Sequence, residues 1–597
     1  MMMQSLIGLY NRLESEPVEG EPKVGPEGFT VEKVRWVITL DEVGRIVGVN
    51  RFSDSSGSKK GGFRMMAVPA QMGRSSNPEP YFLCDKSAYL LGLPMKKNSE
   101  KHSLSKKLHL EVLQGCESPV ARSLRAFFMR DEVVGDLSDD DRQALEEDKD
   151  QGLIVFRVMH HSGFAHEDPA IARSWKAYES RELEDGDPKI RQCSITGSKG
   201  HLARLFLPIS GIPGAQSSGA MLVSYNCPAF ESYGKEQTYN ASISRDAAFR
   251  AGSALRYLYR SDCNKVRFGD TMVLFWCDGS HKEKEESFFR FAFSGRASDD
   301  GELDVLRQYL LDLRAGRSLS QLDLDARFHV LGISPNAARL AVRFYFEDTL
   351  AGFTDGFGLY LRDIEMVGCK TTSIYAFIRQ AALLGKDDNV PRTVVNACMA
   401  AMLKGAPFPR LLFTSVLARM RADHGDKHPW DCGERAATMK GYLVRKARLQ
   451  HVEIPDERRL TVSLSETNDD IGYVLGRMFA LVEYAQRGAR GTVGASVVDR
   501  YIAAASATPA RTFPVLFRGL QNDMSKLRKD KPGMAVFVDK RISSVMDLLD
   551  GSKPLPVSLN EDQQGCFFIG FYQQREELYA KRDSKDDSEE TDQIEED

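Results

Sequence analysis

The chain has 597 residues, 42% hydrophobic and 27% charged, an ordinary balance for a soluble protein long enough for three or four domains. No apolar run approaches the ~20 residues a membrane span needs, and the start, MMMQSLIGLYNRLESEP, has no basic leader or cleavage site, so membrane and secretory classes are set aside and a cytoplasmic protein is expected. Net charge is −4, yet residues 586–597 (DDSEETDQIEED) hold eight acids and no base, which leaves the rest of the chain at four net positive charges and compatible with a polyanionic partner.

In chain order, Val34–Leu40 and Arg45–Arg51 flank an acidic turn with Gly44 and predict paired strands. Lys59 and Lys60 follow in SSGSKKGG, a glycine–serine run that suits either a phosphate-contacting loop or a bland surface loop. The polar loop Gln71–Asn77 (QMGRSSN) comes next, before a strand at Tyr81–Cys84; Ser75–Pro78 alone also fits a simple turn. Cations gather at Lys59–Arg64, Lys96–Lys107 and Lys526–Lys531; any one is explained by a solvated face, while several together favour a nucleic-acid groove. Further strands are expected at Gly152–Met159, Leu202–Ile209, Met221–Tyr225, Thr271–Cys277 and Leu340–Phe346. Helical spacing marks Ser118–Arg130, Arg245–Arg260, Glu302–Arg314 and Thr371–Leu384.

From about Arg392 strand signals nearly vanish, and apolar residues recur with a 3.6 period through Phe408–Arg421, Arg435–Gln450, Asp470–Gln486, Arg511–Arg528 and Ala535–Leu549. The fold class is therefore α+β: a mixed α/β region over 1–390, a helical bundle over 391–580, and an acidic disordered tail over 581–597. Ten cysteines show no CxxC pair, and no histidine cluster has metal spacing, so neither a metal nor a cofactor is expected.

The segment Cys193–Gln237 is rich in glycine and serine, with Lys199, His201, Arg204 and Lys235 and almost no acid before Glu231. Glycine lets backbone N–H groups approach an anion, and the cations are locally uncancelled. Three enzyme readings fail on spacing. Ala229 stands where a phosphate-cradling nucleotide loop requires glycine, Ser217 and Ser218 lack the nucleophile elbow, and Cys193 near His201 reads more simply as a small buried thiol. His160 with His161, and Asp423 with His424, do not make the converging cluster that two-metal phosphodiester cleavage needs.

GAQSSGAMLVSYNCPAFESYGKEQ, with the alanine-rich helix after it, resembles the large subunit of the type I-C CRISPR effector complex, Cascade. VPAQMGRSSNPEPYFLCDKSAYLLG at 68–92, LGISPNAARLAVRFYFED at 331–348, IGYVLGRMFALVEYAQRGA at 471–489 and ASATPARTFP at 505–514 extend the likeness over nearly the whole chain. The resemblance implies a non-catalytic subunit of a guide-RNA ribonucleoprotein that recognises the protospacer-adjacent motif in double-stranded DNA, promotes unwinding and R-loop formation, and helps recruit a helicase-nuclease. It also implies backbone and guide-end-binding Cascade subunits as partners, and a small subunit made from its own C-terminal region by an internal start, for which Met478 is suitably placed; an ordinary core methionine is the plain alternative.

On that footing Gln71, Arg74, Ser75, Ser76 and Asn77 are the motif-reading candidates, since such side chains donate to base edges and phosphates. Lys59, Lys60, Lys199, Arg204, Gln216, Ser217, Ser218, Asn226 and Lys235 are the candidates for phosphate or strand support. Tyr225, Phe230 and Tyr233 interleave with them; rings between cations stack on unpaired bases, although core packing is expected for at least two. The competing classes are a nuclease or guide-RNA-processing enzyme, and a scaffold that binds only protein.

Overall fold

The computed structural model describes the chain except residues 17–19, 53–61, 72–77, 95–97, 149–151, 186–189, 217–218, 280–281, 298, 370–372, 424–431, 492–494 and 593–597, with the side chains of 182–185 and 580–592 also left out. The chain forms two compact units: Met1–Asp262 with Asp278–His281 and Ile333–Val342, and Cys263–Cys277 with Lys282–Gly332 and Arg343–Asp597. The fold is α+β, and no helix among the described residues is long and apolar enough to cross a membrane.

The first unit is built on a mixed sheet. Strand β1 (Phe29–Leu40) pairs antiparallel with β2 (Ile46–Arg51) along its second half and with β3 (Arg64–Pro69) along its first. After β4 (Cys84–Asp85) comes β5 (Leu153–Val158), which runs parallel to β1 on one side and antiparallel to β4 on the other. The register between β1 and β5 shifts between Val34 and Trp36. A single inserted residue changes the face that subsequent side chains occupy. Accordingly Trp36, Ile38 and Leu40 join the core formed with Leu124, Phe127 and Phe128 of the helix Pro119–Met129, whereas Val34 lies with Val37, Met66 and Val155 on the other face.

Buried His109 fixes the chain just before β4. Its Nε2 accepts the Leu83 amide at 2.9 Å and its Nδ1 donates to Ser105 O at 2.7 Å, while the ring stacks on Phe128 at 4.0 Å between centroids. Burial holds its pKa down at about 3, so the ring is neutral. The helix Met2–Ser15 closes onto Arg245–Arg260 through Tyr10 and Phe249, edge to face at 5.8 Å. Strands β6 (Ile190–Gln192) and β7 (Lys199–His201) form a small antiparallel pair in the same unit.

Strands β8 (Lys265–Phe268), β9 (Thr271–Cys277), β10 (Arg327–Asn336) and β11 (Arg339–Thr349) form a second sheet in the order β11-β10-β9-β8. One buried cluster in the second unit runs from Val266 to Leu578. The boundary expected at residue 390 falls inside this unit: the last strand ends at Thr349, and the earlier helices Glu283–Ser294 and Leu350–Ile364 share a core with the later bundle.

The bundle centres on Ile471–Arg490 crossing the last helix, Glu561–Asp592. A Cβ at Gly472 would collide with Gln563 O, one at Gly476 with Phe567 O, and one at Gly570 with Tyr473 O, so these glycines set the close approach of the two backbones. Tyr473 donates to Gln573 at 2.7 Å and Arg477 to Gln574 at 3.0 Å across the crossing. The last helix continues to Asp592, into the stretch where the acidic tail was expected; the side chains of that tail lie outside the described residues.

Four element expectations need correction. Leu202–Ile209 is not a strand but carries only the isolated bridges Leu202–Ser244 and Ile209–Ala220, and Met221–Tyr225 has one bridge, Met221–Arg339. Phe206 packs with Ala247 and Ala248 of the helix Arg245–Arg260 rather than along a strand partner, and Met221, Leu222 and Val223 are only half-buried. The strand expected at Tyr81–Cys84 is only Cys84–Asp85, and the helix expected at Thr371–Leu384 is only Ile374–Arg379.

Candidate nucleic-acid interface

The first unit carries a cleft of about 460 Å³ that gathers segments far apart in sequence. Gly28 and Ala70 line it from the ends of β1 and β3, Lys176 and Glu179 from the helix Pro169–Asp185, Lys199 and His201 from β7, and Arg245 and Asp246 from the first turn of Arg245–Arg260. Its charge is uneven. Arg245 holds Glu179 at 2.7 Å, burial pushes the Glu179 carboxyl up, and Arg250 holds Asp246 at 2.6 Å. The exposed Lys176 and Lys199 are therefore opposed by few uncommitted acids, of which Glu27 is one.

Ala70, the residue before the expected loop Gln71–Asn77, lines this cleft. Gln71 itself turns inward: it is 8% exposed, its Nε2 donates to Cys84 O at 2.8 Å, and its backbone N–H donates to Thr30 Oγ1 at 3.3 Å. Its amide is committed to holding β4, which corrects its place among the base-reading candidates. Arg74, Ser75, Ser76 and Asn77 lie outside the described residues, as do Lys59, Lys60, Ser217 and Ser218.

Cys193 is buried beneath β7, its Sγ accepting the Ser244 amide at 3.3 Å. Burial alone would raise the thiol pKa, but hydrogen bonds from Ser244 and Thr196 bring it down to about 7. Arg204 is exposed and donates to Gln237 Oε1 at 3.2 Å; Gln216 and Asn226 are exposed, with the Gln216 N–H donating to Ala337 O at 3.3 Å.

Lys235 closes a two-residue turn on Ser232. Tyr233 (φ 55°) and Gly234 (φ 64°) occupy its centre, both left-handed, as such hairpin turns require. Asn240 braces the turn, accepting the Ser232 amide at 2.9 Å and donating to Lys235 O at 2.7 Å. Tyr233 is thereby held 97% exposed, and Phe230 is 39% exposed with the Arg339 guanidinium 4.4 Å from its ring centre. Tyr225 is half-buried. The expected core packing of at least two of these rings does not occur, because the short 3₁₀ turn Pro228–Phe230 and the hairpin after it bury no apolar residue.

In the second unit, Arg511, Arg518, Lys526 and Lys529 are exposed along the helix Pro509–Asp530, spaced so that they fall on one face. Met478 is fully buried midway along Ile471–Arg490. Sequence reading missed Lys176 and Arg245 at the cleft, since each reads as an ordinary surface cation on a helix and only the packing of Pro169–Asp185 beside β7 sets them together.

In a comparison with known families, the family described as CRISPR-associated protein (Cas_Csd1) matches residues 6–579. No curated protein matches the chain.

Proposed function

The chain belongs to the CRISPR-associated protein family Cas_Csd1, and from that premise we propose that it is the non-catalytic large subunit of a type I-C Cascade, which engages target duplex DNA beside the protospacer-adjacent motif, promotes R-loop formation and helps recruit a helicase-nuclease. The observation that carries this reading is the cleft where Ala70, at the end of β3, meets Lys176, Lys199 and His201. Phosphate contacts fix register while side chains at base edges read sequence, and a cleft with cations on two walls, lined by the residue that precedes the polar segment 71–77 in sequence, suits that division. Guide pairing then supplies the remaining sequence specificity, as in other RNA-guided effectors.

Tyr233 and the Phe230–Arg339 pair support the strand-opening part of the proposal, because exposed rings beside cations stack on unpaired bases. The cationic face of Pro509–Asp530 suits support of the displaced strand. A small subunit begun at Met478 would lack Tyr473 and Arg477, and with them the hydrogen bonds to Gln573 and Gln574.

Assembly of the guide ribonucleoprotein with and without this chain tests the proposal. Duplex binding that varies with each base of the adjacent motif should require the chain, as should opening of the first base pairs. The same motif preference in particles lacking it would refute the assignment.

A further inference from the structure

Side chains alternate between the two faces of a sheet along each strand. Arg64 therefore falls with Met66 on one face of β3, and Arg157 with Val155 on one face of β5; Met66 and Val155 share a buried cluster with Phe164, so both arginines are on the same face of the mixed sheet. Their guanidinium groups lie 5.8 and 5.3 Å from the centre of the Phe164 ring. Both side chains are exposed, and among the described residues neither guanidinium takes an ion pair or a hydrogen bond. The ring they share is fixed: Phe164 is 8% exposed, its amide donates to Glu167 at 2.8 Å, and buried His166 stacks on it at 5.9 Å. Glu32, opposite Met66 in the register of β1 and β3, is held by Arg256 at 2.7 Å.

We propose that Arg64 and Arg157 grip phosphates of the target duplex, as a continuation of the cleft that holds Lys176 and Lys199. The proposal rests on the DNA-binding reading of that cleft and extends its footprint to a second surface. Lys176 connects the two, because it borders both the cleft and a cavity of about 450 Å³ that Arg64 also lines. Glu167 lines that cavity too, with its carboxylate engaged by the Phe164 amide. A guanidinium laid on an aromatic ring keeps its N–H edge available, in a fork that matches two phosphate oxygens, and the ring limits the side-chain freedom lost on binding. An acidic protein surface would satisfy the same fork; continuity with the cleft favours the DNA backbone. Phosphate contacts carry no base preference of their own, so this face adds affinity and register, while reading of the adjacent motif belongs elsewhere.

The test uses the assembled complex and target duplexes that carry one neutral methylphosphonate at a time along each strand. At 0.15 M salt, Arg64→Gln combined with Arg157→Gln should weaken duplex binding about thirtyfold, about fivefold for each arginine, and reduce the slope of log affinity against log salt by about 1.8. At the positions these arginines hold, a methylphosphonate should weaken the native complex but not the double variant; at the positions held by Lys176 and Lys199 it should weaken both. Circular dichroism checks the fold, and if the double variant does not fold, the single variants are read in the same way at about fivefold each. Unchanged affinity, or a loss in which every methylphosphonate is still felt, overturns the arginine site; a loss of affinity in Lys176→Ala with Lys199→Ala alongside that result leaves the proposed function standing. Loss of the chain from the complex in native mass spectrometry of the arginine variants would assign this face to an acidic protein surface and overturn the proposal as well.

Discussion

Lys176→Ala and Lys199→Ala provide a quantitative test of the cleft. Each removes one exposed cation from a wall of a cleft where Glu179 and Asp246 are already paired with Arg245 and Arg250. One lost phosphate contact on duplex DNA should reduce the slope of log affinity against log salt by about 0.9, which at 0.15 M salt corresponds to about fivefold weaker binding. The lysines share no ion-pair partner among the described residues, so their effects should add: the double variant should lose about thirtyfold in affinity and about 1.8 in slope. Fluorescence anisotropy of a labelled duplex bound by the assembled complex, from 50 to 300 mM salt, gives both quantities. Arg142→Ala, an exposed cation that lines neither cavity, serves as control. A double variant that loses affinity with an unchanged slope would show that the lysines hold the fold and not phosphates.

Gly476→Ala should destabilise the second unit by about 1–3 kcal/mol in urea unfolding, since the added methyl meets the Phe567 carbonyl. Gly519→Ala, in the interior of Pro509–Asp530 with open space around it, should instead stabilise by about 0.5–1 kcal/mol. Tyr233→Gly suits the left-handed φ of 55° and should leave thermal stability unchanged or higher, while costing about 1–3 kcal/mol of single-strand affinity if the ring stacks on a base; undiminished affinity would remove Tyr233 from the interface. His109 and His166 are held neutral in the folded chain, with pKa values of about 3 and about 4, whereas the unfolded chain protonates histidine near pH 6.5. The unfolded state therefore takes up more protons as pH falls, and between pH 6.5 and 4 the first unit should lose about 1.4 kcal/mol per histidine per pH unit. Urea midpoints at pH 7 and pH 5 check this, and His109→Gln should flatten its share of the dependence.

The long helices of the second half were legible because each buries one face, so apolar spacing carries the signal: the periodicity over Asp470–Gln486 corresponds to Ile471–Arg490, and that over Arg511–Arg528 to Pro509–Asp530. The hairpin of β1 and β2 was legible from Gly44 between two apolar runs, at left-handed φ 78°. Strand β10 was not, because Gly332 and Pro335 read as turn residues, yet Gly332 is where the Phe344 ring crosses the neighbouring strand. Conversely Leu202–Ile209 has the apolar content of a strand but pairs only through single bridges at its two ends, which composition does not reveal. At the site, the charge of Lys199 and the polarity of the 71–77 segment were readable, but the inward turn of Gln71 depends on the position of the Cys84 carbonyl.

The crossing of Ile471–Arg490 with the last helix has a consequence for synthesis. Until Glu561 onward has left the ribosome, Gly472 and Gly476 have no backbone to receive, and the face of Ile471–Arg490 that carries Phe479 remains without Phe567 and Phe571. At about 5–20 residues per second, that leaves the nascent second unit open for several seconds after the earlier helix emerges. A chain broken off before residue 561 keeps most of its bundle residues but cannot close the core, so truncated products are expected to go to proteolysis while full-length chains fold.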